Sequence, residues 1–435
     1  MSNDALLYFA AKFSEEKKNS GALAGFSEKA MSDFQKLGLP AVRHEEWKYT
    51  RVSNLFRKDL LYAPPVTRIT TADLQAFRLP GSDSASELVF INGVYNPELS
   101  VIRHQPEELI AMGLDKAAEG DYASFIKENL GHSADYHPDG IQALNAAFAG
   151  GGLFVVAKKG KIIQQPVYIY NLADSRPGFI FAQPRTLVYV EAAAQIQIAE
   201  QYITIGSNES FTNEVFEVVA EKDSIVDYYK IQNEGPLANH VGTTHIRQAG
   251  KCLTNAVTIT LSGALVRNNL NMIMESEHGE SHMYGLYLLD GKTHADNHTI
   301  VDNVKPHCFS NELYKGIMDG ESSGVFNGKI FVRKDAQKTN AYQSNKNILL
   351  SDKASANTKP QLEIFADDVK CSHGCTIGRL DEEALFYLRA RGISEKNAKS
   401  LLLHAFAVDI LDNIKLEPLR NHVDRMISER LEFNF

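Results

Sequence analysis

From Gly150 to Val369 one short β-prone segment follows another, and nothing of helix length separates them. Residues 153–157, 167–170, 186–190, 195–198, 201–205, 212–219 and 224–231 are mostly rich in Val, Ile, Thr and Tyr. The series goes on through 245–247, 255–261, 269–274, 283–289, 298–302, 309–316, 324–332 and 347–351, with Gly, Asn, Asp and Ser at the breaks. Parallel strands connected by helices need a helix in each connection, so this pattern argues against an α/β fold. A sandwich of so many strands would be large. A coil whose rungs stack only on their neighbours takes any number of them. No strict period is visible, so the pattern by itself makes a parallel β-helix plausible beside the sandwich.

Both flanks read as helical. Leu6, Leu7, Phe9, Ala10 and Phe13 form an apolar stripe, and a second helix over 28–37 stops at Gly38 and Pro40. His44-Glu45-Glu46-Trp47-Lys48-Tyr49-Thr50 follows, with the only tryptophan of the chain. It invites comparison with a zinc-protease helix, but Lys48 stands where the second histidine would be required. A structural role is expected, with Trp47 and Tyr49 packed and the charges outside. Pro64 and Pro65 mark a linker, and 88–91 followed by Asn92-Gly93 reads as a strand and tight turn. Residues 106–118, 122–129 and 142–148 read as further helices. Beyond Gly378, Asp381, Glu382 and Glu383 favour a helix start, Ser394 suits the N-cap of 395–411, and Pro418 can open a last helix through Arg430. So small a helical end cannot build its own core and should dock on the β region or on a partner. The expected division is 1–149 mainly helical, 150–375 β-helix and 376–435 helical.

Composition narrows the function. A net charge of -9 without a long basic run gives no nucleic-acid footprint. Cys252, Cys308, Cys371 and Cys375 are too few for a disulfide framework and fit a reducing, cytoplasmic setting. An early Asp4 and the lack of an apolar core argue against a signal peptide, and no 18-residue apolar run suggests a membrane span. Catalytic templates fail. Gly291-Lys292-Thr293 resembles the end of a phosphate loop, yet Leu286 occupies the place of its first glycine, and Gly150-Gly151-Gly152 precedes a strand without a helix to follow. Histidines gather at His278, His282, His294, His298 and His307, among acidic residues. On one strand His278 and His282 would lie roughly 13 Å apart, so corner or surface histidines are expected. The stretch QLEIFADDVKCSHGCTIGRL, 361–380, alternates as a strand through Leu362, Ile364 and Ala366 and then reaches Cys371, His373 and Cys375. Thiol and imidazole so close suit thiophilic metals or sulfur chemistry, or simply a buried cysteine beside a turn histidine.

HEEWKYT at 44–50, ADDVKCSHG at 366–374 and DEEALFYLRARGI at 381–393 together resemble the SufB/SufD scaffold family of the Suf iron–sulfur cluster assembly system, in its SufD branch, over most of the chain. The resemblance implies a right-handed parallel β-helix between N-terminal and C-terminal helical domains. It implies a non-catalytic scaffold subunit that pairs with a SufB-like scaffold through the β-helix. It also implies that the C-terminal helices, within 381–416, bind SufC, an ABC-type ATPase that would supply the phosphate-binding loop missing here. Cys371 and His373 match the family's cluster-assembly positions at or near the scaffold interface, with His373 the better metal ligand, and Cys375 inherits no ligand role. Residues 361–370 are then an exposed strand for the partner, and Ser372–Gly374 a turn presenting the imidazole. No cofactor is expected to stay on the isolated chain, only transient iron or an iron–sulfur cluster in the complex; a homodimer could form in isolation. Partners on nucleic acid or membrane are not expected. The alternatives are a SufB-like scaffold that carries the cluster itself, although Ser372 and Gly374 replace the Glu-rich residues of that branch, and a β-helix enzyme acting on carbohydrate, which would need convergent carboxylates.

Overall fold

The computed structural model describes residues 2–16, 21–56, 60–62 and 69–434. From Leu153–Ala157 onward, successive main strands alternate between two sheets, so the chain winds as a flattened parallel coil of about eight turns. The first sheet runs from Ser355–Ile364 through Ser323–Val332, His294–Asn303, Leu265–Met274, Ala238–Gln248, Ser210–Ala220 and Arg185–Val190 to Leu153–Ala157 and Leu109–Gly113. The second runs from Lys370–Gly378 through Asn340–Leu349, Phe309–Met318, Glu280–Leu289, Leu253–Ser262, Ile225–Asn233, Gln195–Ile205 and Val167–Asp174 to Ser86–Ile91 and Val94–Tyr95. A β-helix flanked by helices is therefore the observed architecture, not a sandwich of antiparallel sheets.

Register explains both the stability of the coil and its hidden period. Parallel in-register pairing puts matched residues on the same face. One interior ladder reads Val188, Val218, Ile246, Met272, Val301 and Ile330, each paired with the next and each almost fully buried. Each such side chain contributes roughly 1.5–3 kcal/mol by leaving water. In the second sheet Leu253 pairs with Glu280, Glu280 with Phe309, Phe309 with Asn340 and Asn340 with Lys370, advances of 27, 29, 31 and 30 residues. Unequal corners absorb the difference, so no fixed repeat appears in the sequence. At one corner Ala193, Asp223, His278, His307 and Lys338 all take positive φ, and each N–H donates to a carbonyl of the next rung. His278 and His307 are thus corner residues as expected, their rings stacked with centroids 4.9 Å apart.

The start of the coil is closed differently. Leu109–Gly113 pairs antiparallel with Leu153–Ala157, and Val94–Tyr95 turns back antiparallel on Ser86–Ile91 through Asn92 and Gly93. The helix expected over 106–118 is therefore shortened to Leu114–Glu119, because Leu109–Gly113 finishes a sheet edge and tertiary pairing overrides local propensity. Helices Ser2–Glu16, Ala24–Leu37 and Gly140–Ala147 contribute to one apolar cluster in which Phe9 meets Phe34, Phe56, Phe148 and Phe181 edge-on. Pro64 and Pro65 lie outside the described residues.

The C-terminal helices are Glu382–Ala390, Glu395–Leu411 and Glu417–Asn434. Asp381 caps the first by accepting from the N–H groups of Glu383 and Ala384, and Ser394 caps the second through Asn397. They dock on the β region, as their small size required. Leu403, Ala407, Ile410 and Val423 share one buried cluster with Tyr229, Ile259 and Ile317 of the second sheet. Buried Lys315 fixes the contact from below, donating to Asp409 at 2.5 Å and to the Phe406 carbonyl at 2.8 Å.

Candidate functional site

The last turn of the coil has neighbours on one side only. Lys370–Gly378 ends the second sheet and Ser355–Ile364 ends the first. On the preceding rung Ala341, Gln343, Asn345 and Asn347 point inward and are at most 3% exposed. Their register partners are Cys371, His373, Cys375 and Ile377, which therefore share the inner face of the last strand. No rung covers them: His373 and Cys375 are exposed, and Cys371 is half-buried against the interior apolar cluster. Burial pushes the Cys371 thiol up.

This corrects two expectations. Ser372, His373 and Gly374 are strand, because pairing with Asn340–Leu349 runs through them, and the corner lies earlier. Residues 361–364 finish one strand and Lys370 opens the next, with a corner between them. The expected pair, Cys371 and His373, does share one face, and Cys375 joins them although sequence reasoning gave it no role. Alternation of Cys371, His373, Cys375 and Ile377 is the signal that could have found it. Among the described residues no three His, Cys, Asp or Glu side chains gather closely enough to hold a metal ion. The strand alone thus offers a row of donors about 6.6 Å apart in place of a closed cage. Beneath it Gln343 donates to Glu312 at 2.8 Å, while its own Oε1 is buried without a partner. Burial raises the Glu312 carboxyl to about 7.

The other two sequence motifs lie elsewhere. On the C-terminal helices Phe386 is 73% exposed, with Tyr387 and Leu401 exposed as well. Beside them a cavity of about 520 Å³ is lined by Leu350, Leu380, Leu385, Phe386 and Leu403, with Arg379 and Glu395 at its polar side.

The segment 44–50 is a latch on the first sheet. Trp47 is buried as expected, stacked on the Arg267 guanidinium at 4.0 Å and donating to Asp139 at 3.1 Å. Tyr49 is exposed, contrary to expectation, and the charges do not all stay outside. Glu46 turns inward to Lys329 at 2.6 Å and to His298 at 3.3 Å. Arg267 donates to Asp296 at 3.0 Å, Thr50 donates to the same carboxylate, and His298 Nε2 lies 2.9 Å from its other oxygen as an ion-pair partner. Burial alone would raise the Asp296 carboxyl, but His298 and Arg267 outweigh it and hold it well below the usual carboxylate range. His294 and His298 are therefore latch residues, not surface ones: His298 is buried, and His294 bonds Thr50 at 2.9 Å.

Comparison with known proteins agrees with this architecture. Residues 5–169 match the SufBD protein N-terminal region, and residues 172–406 match the SufBD core domain of SUF-system FeS cluster assembly. An iron–sulfur cluster assembly SufBD family protein of Synechocystis is 35% identical over 405 residues, 91% of this chain and 88% of that protein. The iron–sulfur cluster assembly protein SufD of Escherichia coli is 29% identical over 401 residues, 91% of this chain and 90% of its own. Protein ABCI7, chloroplastic, of Arabidopsis thaliana is 29% identical over 299 residues, 66% of this chain and 62% of its own. Two sheets wound into one coil, an uncovered last turn bearing Cys371 and His373, and family matches that span both halves of the chain lead to one conclusion: it belongs to the SufBD family of iron–sulfur cluster assembly proteins.

Proposed function

We propose that this chain is the SufD-like, non-catalytic member of a cluster-assembly scaffold. It pairs by its uncovered last turn with a SufB-like scaffold and carries a SufC-type ATPase on its C-terminal helices. One observation supports this reading above the others. The coil leaves a whole rung of backbone donors and acceptors without a neighbour, and that rung carries Cys371 and His373 on its inner face. A free strand edge recruits another strand through directional backbone bonds. Ligands on its inner face then look toward the partner's inner face, so iron or a nascent cluster is held as cargo between two chains that each supply too few donors. Exposed Phe386, Tyr387 and Leu401 are the apolar anchors offered to the ATPase.

The test is His373→Ala within the assembled three-component complex, with assembly and cluster yield measured separately. An intact complex with strongly reduced visible cluster absorbance is expected. A normal yield in that complex would remove His373 from cargo handling, and loss of the complex would leave it a contact residue only. In parallel, Phe386→Asp should abolish capture of the ATPase while the far-UV circular dichroism of the chain stays unchanged.

A further inference from the structure

We propose that His373 and Cys375, not Cys371, form the metal-binding pair of the last strand, a two-point chelate for a thiophilic divalent ion. In cluster assembly that ion is iron delivered as cargo. The inference rests on the reading of this strand as the cargo-handling site and adds to it a residue that no motif assigns.

Register carries the argument. His373 pairs with Gln343 and Cys375 with Asn345, both inward-facing, so imidazole and thiol stand on one face two residues apart. Alternate residues on a strand are separated by about 6.6 Å. A metal–nitrogen bond of about 2.0–2.1 Å and a metal–sulfur bond of about 2.3 Å, added to the lengths of the two side chains, span that gap. Cys371 and Cys375 lie four residues apart, about 13 Å, and cannot both bind one ion from the same strand. His373 must therefore choose between them. Cys371 is half-buried and packs partly against the interior apolar cluster, which leaves it less open to an incoming ion than Cys375. Cys375 is exposed at the uncovered end, where further ligands can be added from a second chain.

Gln343 supplies an independent pointer. It lies one rung beneath His373, is 3% exposed, and its Oε1 has no partner although its Nε2 is bound to Glu312. An imidazole that binds metal through one nitrogen needs an acceptor for the N–H of the other, and such outer partners fix the ring. Gln343 Oε1, a buried acceptor without a partner on the residue paired with His373, is of the chemical type that need calls for. On binding, the Cys375 thiol releases its proton to solvent as the metal–sulfur bond forms.

Anaerobic titration of the full chain with Co²⁺ tests this, read by the thiolate-to-cobalt charge-transfer band and by affinity. The wild type and Cys371→Ser should both show the band. Cys375→Ser should lose the band, and both it and His373→Ala should bind more than about tenfold more weakly. A band that survives in Cys375→Ser overturns the inference, whether or not Cys371→Ser abolishes it. Capture of the ATPase and of a SufB-like scaffold is measured on the same samples. If the wild type captures neither, the scaffold reading fails on its own account, whereas normal capture with an unchanged cobalt band in Cys375→Ser removes only the chelate.

Discussion

Asp296→Ala should unlatch the N-terminal segment from the coil. In the wild type, Asp296 is 1% exposed, accepts from Arg267 and Thr50, and is ion-paired with His298. Arg267 is equally buried, and without Asp296 it keeps only the Glu46 carbonyl, Asn269 and the face of Trp47. Removing one partner of a buried ion pair leaves an uncompensated charge and costs about 3–5 kcal/mol. At about 4 kcal/mol the unlatched population rises nearly a thousandfold. By contrast the Glu45–Lys359 pair is 62% and 41% exposed and screened by solvent, so Glu45→Ala should leave the fluorescence transition almost unmoved. Trp47 is the only tryptophan, so its fluorescence reports on the latch, while far-UV circular dichroism reports on the coil. In urea, the fluorescence transition of Asp296→Ala should move to much lower denaturant than the dichroism transition. Adding Arg267→Met removes the stranded charge and should recover part of the loss, giving a non-additive cycle. The pH dependence follows from the sign of the shift. A carboxyl whose pKa is depressed by folding contributes fully above its unfolded value, near 3.8, and loses that contribution only as pH falls through the folded value. The Asp296 carboxyl therefore adds no pH dependence of its own from neutral pH down to about pH 4. An effect of Asp296→Ala below about 1 kcal/mol, or strict additivity with Arg267→Met, would refute the assignment of a desolvated ion pair.

Glu312 has the opposite sign: burial raises it to about 7, so the folded state keeps a proton that the unfolded state has lost, and stability should fall by about 1.4 kcal/mol per unit as pH rises from about 4.5 toward 7. Glu312→Gln should flatten that slope in urea titrations across the window. Lys315→Met should loosen the C-terminal helices by about 1.5–3 kcal/mol, the range for hydrogen bonds from charged groups, read as faster proteolysis near Arg379 with unchanged coil dichroism. Gly285→Ala would place a Cβ 2.2 Å from the ring of Tyr314 on the next rung and should cost about 1–3 kcal/mol by overpacking, whereas Gly374→Ala meets nothing within 4 Å and should be silent in the same melts.

What could be read in the sequence was local, and what was missed depended on distant partners. Val, Ile and Thr runs named most strands because each rung is buried on both neighbours. Asp381 and Ser394 marked helix starts because a cap is a contact of two or three residues. Residues 109–113 read as helix in the sequence because their strand partner lies in 153–157, on the far side of three helices. The buried roles of Arg267, His294 and His298 could not be seen because the groups that satisfy them come from 44–50; Thr50 and Asp296 are 246 residues apart. The last strand was mistaken for a turn because Ser372 and Gly374 supply no apolar outer face and nothing covers the inner one. Cys371, His373 and Cys375 nonetheless kept the two-residue spacing of a strand, and that spacing was the legible part of the site.

The two ends of the coil are not equivalent, and this sets a valency. At the beginning, the sheets finish in strands that run antiparallel to their neighbours, and the one that ends the first sheet packs against helix Leu114–Glu119. At the other end, among the described residues, both sheets stop on parallel strands with no strand beyond them. A stack of identical rungs would otherwise be a seed for head-to-tail growth, since each molecule would offer a donor end and an acceptor end. Here, among the described residues, only one end of the coil stops on parallel strands that would serve as a socket. Two such molecules joined at their sockets use up every free rung, so association by strand addition stops at a pair and cannot propagate into a fibre.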